Sequence, residues 1–150
     1  MKVFERSILI KTNIKKVFNF HRNTNNLKNI SPSFIKVKIK QISDIPLKKN
    51  SLISLSISLL GISTNWEVKI LECVEPHLIK DLQVSGIFKY WLHHHIFEQQ
   101  GKYVKMTDRI EYLPPFGYLG ILLNPIFKLV LIFAFKYRHK KTKEIFENKD

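Results

Sequence analysis

Consecutive histidines at positions 93–95 have the clearest capacity for chemistry in this sequence. They lie in an extended segment, residues 89–98, where alternation sends neighbouring side chains to opposite faces. His93 and His95 share a face with Trp91 and Phe97, so that face is the expected inner one, and His94 lies on the other. Two imidazoles facing an apolar interior need polar partners, because an unsatisfied buried polar group costs about 1 to 3 kcal/mol.

A later extended segment, residues 104–112, supplies one carboxylate for these imidazoles. Its alternate residues share one face, and Asp108 is the only charged residue on that face. We therefore predict that Asp108 contacts His93 or His95 across paired strands. The residues on this face are Val104, Met106, Asp108, Ile110 and Tyr112.

Three interpretations of this cluster stay open. It forms a buried polar network that fixes strand register, or it orients the carboxylate, hydroxyl or headgroup of a bound ligand. The third is proton transfer or metal binding, because histidine titrates near neutral pH and His93, His95 and Asp108 offer two nitrogens and an oxygen to one ion. No Cys or Glu accompanies the pattern, and no nucleophile, phosphate-loop or dinucleotide motif is present, so we expect no metal and no other cofactor.

Seven extended segments and two short helices must position these side chains. The first strand, residues 3–11, precedes a short helix capped by Thr12 and Asn13, and residues 27–30 make a further helical turn. Ser31 and Pro32 end that turn. Alternating segments separated by breaks of hairpin spacing then predict six more strands. They span residues 34–40, 52–60, 64–72, 78–85, 89–98 and 103–113.

A long apolar helix is predicted from residue 117 to about residue 143, with Pro125 kinking or restarting it. An antiparallel sheet with one apolar face must cover that face, and this helix is the available cover. A curved sheet around one helix leaves a cavity. We expect the helix to face it with Ile121, Leu122, Pro125, Ile126, Leu129, Val130, Phe133 and Ala134. Trp66, Ile53, Leu55, Ile57 and Leu59 would form the opposite apolar wall.

Residues 86–97, GIFKYWLHHHIF, resemble a G-x-F-x-x-W-x-H-x-H-x-F pattern in a bacterial, polyketide cyclase-like branch of the SRPBCC or START-like superfamily. Similar pieces are NLKNISP at 26–32, DLQ at 81–83 and TDRIEYLPP at 107–115. The sequence departs from this family in having Ile87 where relatives often have Pro. It also lacks the iron-sulfur and iron-ligand motifs of the ring-hydroxylase members. The likeness specifies the fold better than the function, because one fold hosts many sites.

The resemblance implies an α+β helix-grip domain over residues 1–150, with a seven-stranded curved antiparallel sheet wrapped round the carboxy-terminal helix. Two short helices lie between strands 1 and 2. The resemblance also implies non-catalytic binding or transport of a lipid, isoprenoid or aromatic compound in an internal cavity. The alternative is a cyclase- or dehydratase-like enzyme that uses His93, His95 and Asp108 for proton transfer. The expected ligand-binding residues are Phe18, Trp66, Gln83, Trp91, His93, His95, Phe97, Met106, Asp108, Tyr112, Ile126 and Val130.

The 150 residues carry a net charge of +13 and one cysteine, Cys73. A lone cysteine and charges within residues 1–11 favour a cytoplasmic protein without a signal peptide. Residues 118–135 are better read as a core-facing or interface-lying helix than as a membrane span, because they include Asn124, Pro125 and Lys128. Peripheral contact with anionic membrane is an alternative, and nucleic-acid binding is disfavoured because no aromatic side chains interleave the basic ones. The basic residues for membrane contact are Lys136, Arg138, Lys140, Lys141 and Lys143.

Overall fold

The computed structural model describes residues 1–59 and 61–148 and contains one seven-stranded antiparallel sheet in the order β1-β7-β6-β5-β4-β3-β2. Each strand pairs with its sequence neighbour except β1, which pairs with β7 and so lies at the edge opposite β2. The predicted helix-grip arrangement is confirmed, and only Leu60 of the predicted third strand lies outside the described residues. The strands are β1 (Lys2–Ile10), β2 (Ile35–Ile42), β3 (Leu52–Leu59), β4 (Ile62–Val74), β5 (Leu78–Ser85), β6 (Tyr90–Gln100) and β7 (Tyr103–Leu113).

Short helices connect β1 to β2, as predicted. They are α1 (Ile14–Arg22), a 3-10 turn (Thr24–Asn26) and α2 (Leu27–Ile30). The Asn13 side chain caps α1 by accepting a hydrogen bond from the Lys15 backbone N–H at 2.9 Å. α1 packs against β6, and α2 packs against the carboxy-terminal helix. The two helices therefore lie beside the space between sheet and helix.

The predicted long helix is two helices, α3 (Gly117–Leu122) and α4 (Asn124–Glu147), separated at Leu123. Pro125 lies in the first turn of α4, where a missing backbone N–H removes no helical hydrogen bond. Pro125 therefore restarts the helix. Among the described residues, no helix combines the length and the apolar character needed to cross a bilayer.

The buried face of α4 differs from the predicted one. Leu131, Phe135, His139 and Thr142 are buried, and Phe135 contacts Phe4 of β1 with ring centroids 5.5 Å apart. Ile126, Val130 and Ala134 do border the space between helix and sheet, as predicted. The prediction was wrong for Ile121, Leu122, Leu129 and Phe133, because the helical segment is apolar on nearly all sides and periodicity alone does not select the packed face. The predicted inward residues that lie more than half exposed are Ile121, Leu122, Ile126, Leu129 and Phe133.

Candidate functional site

A cavity of about 390 Å³ lies between the concave face of the sheet and α4, with α1 and α2 at its side. Its walls are mainly aliphatic and aromatic, and the predicted wall residues all line it: Ile53, Leu55, Ile57, Leu59 and Trp66. Phe88, which was not predicted, also lines it and contacts Trp66 and Trp91 with ring centroids 5.8 and 4.8 Å apart. The volume is in the usual range of small-molecule sites.

Asp108 is the centre of a buried polar cluster beside this cavity. His93 Nε2 lies 2.9 Å from Asp108 Oδ1, so the predicted contact is present. His95 is the cross-strand partner of Asp108, and its Nδ1 lies 2.7 Å from the same oxygen, although the contact is poorly aligned for a hydrogen bond. His139 Nε2 of α4 lies 2.6 Å from Asp108 Oδ2. One carboxylate therefore joins β6, β7 and the long helix.

These contacts shift the pKa values of the clustered side chains in different directions. Burial alone would raise the pKa of Asp108, but His95 and hydrogen bonds from the surrounding imidazoles hold it well below its usual value. Burial, assisted by His95, lowers the pKa of His93 to about 4. Burial also opposes the charge on His95, but Asp108 outweighs it and the pKa of His95 is raised. The pKa of His95 therefore lies above the ordinary histidine value and that of His93 below it.

Asp81 on β5 supplies a second carboxylate that sequence reasoning did not select as a site residue. It is the cross-strand partner of His93, it lines the cavity, and its side chain is 15% exposed. Its Oδ2 lies 3.6 Å from His93 Nδ1 and 3.5 Å from His95 Nε2. Burial opposes its ionisation, yet His93 and His95 lower its pKa on balance. Alternation along β5 with the buried Ile79 was the available signal.

His21 of α1 and Arg138 of α4 also line the polar end of the cavity. His21 Nδ1 lies 2.9 Å from the Val17 carbonyl oxygen, and its Nε2 is buried without a partner among the described residues. Burial, reinforced by Arg138, lowers the pKa of His21 to about 3. His21 could have been found from the sequence, because it shares the apolar face of α1 with Val17 and Phe18.

Half of the predicted ligand-binding residues line the cavity, namely Trp66, Trp91, His93, His95, Ile126 and Val130. Phe18 and Phe97 instead pack edge to face in the core, 5.7 Å apart. Asp108 lies behind the histidines, with none of its surface exposed, and Met106 is equally buried.

Gln83 and Tyr112 do not line the cavity. Their side chains instead hydrogen-bond the neighbouring backbone and the helix α4. The Gln83 amide donates to the Phe88 carbonyl at 2.7 Å, and the Tyr112 hydroxyl donates to Asn124 Oδ1 at 3.1 Å. Phe18, Gln83, Phe97, Met106, Asp108 and Tyr112 are therefore not among the described residues that line the cavity, and their contact with a ligand stays a prediction.

No family model matches the chain, and no curated protein matches it. Solved structures do match. A START superfamily protein from Mycobacterium smegmatis has a TM-score of 0.76 over 99% of each chain at 10% identity. The major latex-like protein 151 of Panax ginseng has a TM-score of 0.71 over 97% of each chain at 13% identity.

The di-domain ARO/CYC protein BexL of the BE-7585A biosynthetic pathway is similar over one of its halves. Its TM-score is 0.78 at 12% identity, and the match covers 99% of this chain and 51% of BexL. Identities this low establish a shared fold and leave the function to be argued from the site. The chain therefore shares its helix-grip fold with these structures, among them a START superfamily protein and an ARO/CYC protein.

Proposed function

We propose that this protein binds or carries a hydrophobic small molecule in its cavity without transforming it. The observation that carries the proposal is the 390 Å³ apolar cavity with its polar cluster confined to one region. Apolar walls favour a largely hydrocarbon or aromatic ligand, and a few convergent polar groups fix its orientation. The ligand class is a lipid, an isoprenoid or an aromatic compound that bears one hydroxyl or other small polar group to meet Asp81, His93 and His95.

Native mass spectrometry of the purified protein, followed by solvent extraction and identification, tests this proposal. We expect a bound apolar molecule on the wild type. The Ala134→Trp variant should carry none, because Ala134 lines the cavity and an indole would fill the space. Phe133→Trp is the matched control, since Phe133 is 58% exposed on the outer side of the same helix. Equal ligand on all three proteins, or none on the wild type after incubation with a mixed lipid extract, would contradict the proposal.

A second candidate function is cyclase- or dehydratase-like proton transfer by His93, His95 and Asp108. One observation favours it: His95 lines the cavity while Asp108 lies behind it at 2.7 Å, an arrangement that suits a general acid or base. Exchange of the α-protons of 1-tetralone in D2O, followed by NMR, tests it. Catalysis predicts exchange faster than in buffer and its loss in His95→Gln, whereas a carrier protein binds the ketone and leaves the exchange rate unchanged.

We also propose that the outer face of α3 and α4 contacts a membrane surface. Tyr118, Leu122 and Phe133 are 92%, 75% and 58% exposed on this face, and Ile126 lies both on it and at the cavity wall. The basic residues give less support than the sequence suggested. Arg138 faces the cavity, and Lys141 and Lys143 pair with glutamates of their own helix at 2.8 and 3.0 Å. Apolar insertion therefore carries this proposal, and charge has a lesser part.

A further inference from the structure

We propose that Asp81, His93 and His95 form a binding site for a divalent first-row transition-metal ion of the Zn²⁺ type at the polar end of the cavity. One donor atom from each of these side chains lies within 4.8 Å of the other two. The donors come from adjacent strands, because Asp81 is the cross-strand partner of His93 and His95 follows two residues later. Two paired strands fix this spacing more firmly than a loop does.

The distances from the Asp81 carboxylate to the two histidine donors suit a metal better than they suit direct hydrogen bonds. Asp81 Oδ2 lies 3.6 Å from His93 Nδ1 and 3.5 Å from His95 Nε2, and neither contact forms a hydrogen bond. Ligand bonds of about 2.0 to 2.2 Å at tetrahedral angles place neighbouring donors roughly 3.3 Å apart. Small side-chain rotations would therefore bring all three donors onto one ion. The cavity side would remain open for a fourth ligand.

Asp108 holds the two histidines as an outer-shell carboxylate holds metal ligands. In each histidine, the ring nitrogen that does not face Asp81 lies close to Asp108 Oδ1. The distance is 2.9 Å for His93 Nε2 and 2.7 Å for His95 Nδ1. His139 anchors the other Asp108 oxygen at 2.6 Å. Metal-ligating histidines usually have a carboxylate or carbonyl on their second nitrogen, which fixes tautomer and ring orientation. This support is already in place for His93, and His95 Nδ1 lies 2.7 Å from the same oxygen in the poorly aligned contact described above.

The donor set and local charge select the class of ion. Two imidazole nitrogens and one carboxylate oxygen suit Zn²⁺ and its first-row neighbours, whereas Mg²⁺ and Ca²⁺ prefer oxygen ligands. Arg138 is the opposing cation at this end of the cavity, and the carboxylates of Asp81 and Asp108 outnumber it. The sequence led us to expect no metal because no Cys or Glu accompanies the His-x-His pattern, and Asp108 was the carboxylate placed beside it. In the fold Asp108 supports the histidines, and Asp81 takes the ligand position.

Isothermal titration of the chelator-treated full chain with Zn²⁺ alone tests the site. We expect one ion per chain and an affinity that falls at least about tenfold in Asp81→Asn, the lower bound for disturbing even an outer-shell group. Asp81 accepts no side-chain hydrogen bond in the described chain, so this substitution should leave the fold intact, which circular dichroism checks. Glu72→Gln is the matched control, since Glu72 is 45% exposed on the neighbouring strand β4.

Absence of one-to-one binding by the wild type, or equal binding by Asp81→Asn, would overturn the inference. Co²⁺ gives a second readout, its visible absorption spectrum, that does not depend on a measured heat of binding. Its visible spectrum should report nitrogen-and-oxygen coordination in the wild type and in Glu72→Gln, and should be lost in Asp81→Asn. An unchanged spectrum in Asp81→Asn would also overturn it. Because Zn²⁺ and Co²⁺ are tested without any organic ligand, failure here leaves the proposed binding of an apolar molecule standing.

Discussion

Asp108→Asn tests whether one buried carboxylate joins the sheet to the carboxy-terminal helix. Asp108 is completely buried, and imidazole nitrogens of His93, His95 and His139 lie 2.9, 2.7 and 2.6 Å from its oxygens. An asparagine preserves the shape but removes the charge. It also presents an NH₂ group where the carboxylate accepted hydrogen bonds, so at least one imidazole must change tautomer or lose its partner.

The expected loss in the free energy of unfolding is about 3 kcal/mol. A hydrogen bond to a charged group contributes about 1.5 to 3 kcal/mol, and removing one partner of a buried charge pair costs about 3 to 5 kcal/mol. The variant retains part of this stabilisation, because the oxygen of the amide that replaces the carboxylate still accepts one hydrogen bond. Domains of ordinary stability have a free energy of unfolding of about 5 to 15 kcal/mol, so the variant should still fold.

Urea unfolding of chelator-treated protein, followed by tryptophan fluorescence, measures the difference. Trp91 is suitable as the probe because it lies next to His93, with ring centroids 6.2 Å apart. Glu98→Gln is the control. Glu98 is 53% exposed on β6, the strand that pairs with β7, and its contact with Lys105 is 3.9 Å, so we expect a loss of less than about 0.5 kcal/mol. A loss in Asp108→Asn no larger than that of the control would refute the reasoning.

Two further predictions concern acid stability and the outer helix face. Between pH 7.5 and pH 5 Asp108→Asn should lose more unfolding free energy than the wild type. Although burial opposes the charge on His95, Asp108 raises the pKa of this histidine in the folded wild type. A pKa raised on folding contributes stability that is complete below the unfolded histidine's pKa of about 6.5 and is lost as pH rises through the folded value, and the variant lacks the carboxylate that supplies this contribution. Parallel pH profiles of the two proteins would contradict this. In flotation with phosphatidylserine-containing vesicles, Leu122→Glu should lower the bound fraction severalfold, whereas Leu52→Glu, on the exposed side of β3, should not. Equal flotation of both variants would rule out membrane contact through α3.

The sheet and the Asp108 contact could be predicted because both depend on alternation within strands. Period-two patterns place His93, His95 and Asp108 on one face of the sheet, and the two-residue turn between β6 and β7 sets the register that brings them together. The N-cap at Asn13 and the helix restart at Pro125 follow similarly from local chemistry. These features are set by neighbouring residues along the chain, so a single sequence contains the information that determines them.

The remaining site residues depend on register and on the packing of a helix. Asp81 becomes a site residue only because β5 pairs with β6 so that it lies opposite His93. His139 was hidden in a basic stretch of a helix whose apolar residues pointed to several possible faces. The same ambiguity placed Phe133 inward in our prediction, although it is exposed. Such choices are made by tertiary contacts, here the hydrogen bond between His139 and Asp108.

Fluorescence titration with 1-anilinonaphthalene-8-sulfonate tests most directly whether the cavity accepts an apolar guest. The wild type and Phe133→Trp should bind about one molecule of probe per chain, with the emission shifted to the blue. Ala134→Trp should bind at least about tenfold more weakly, because its indole would take up the cavity between α4 and the sheet. Undiminished binding by a correctly folded Ala134→Trp protein, or no saturable binding by the wild type, would contradict the account.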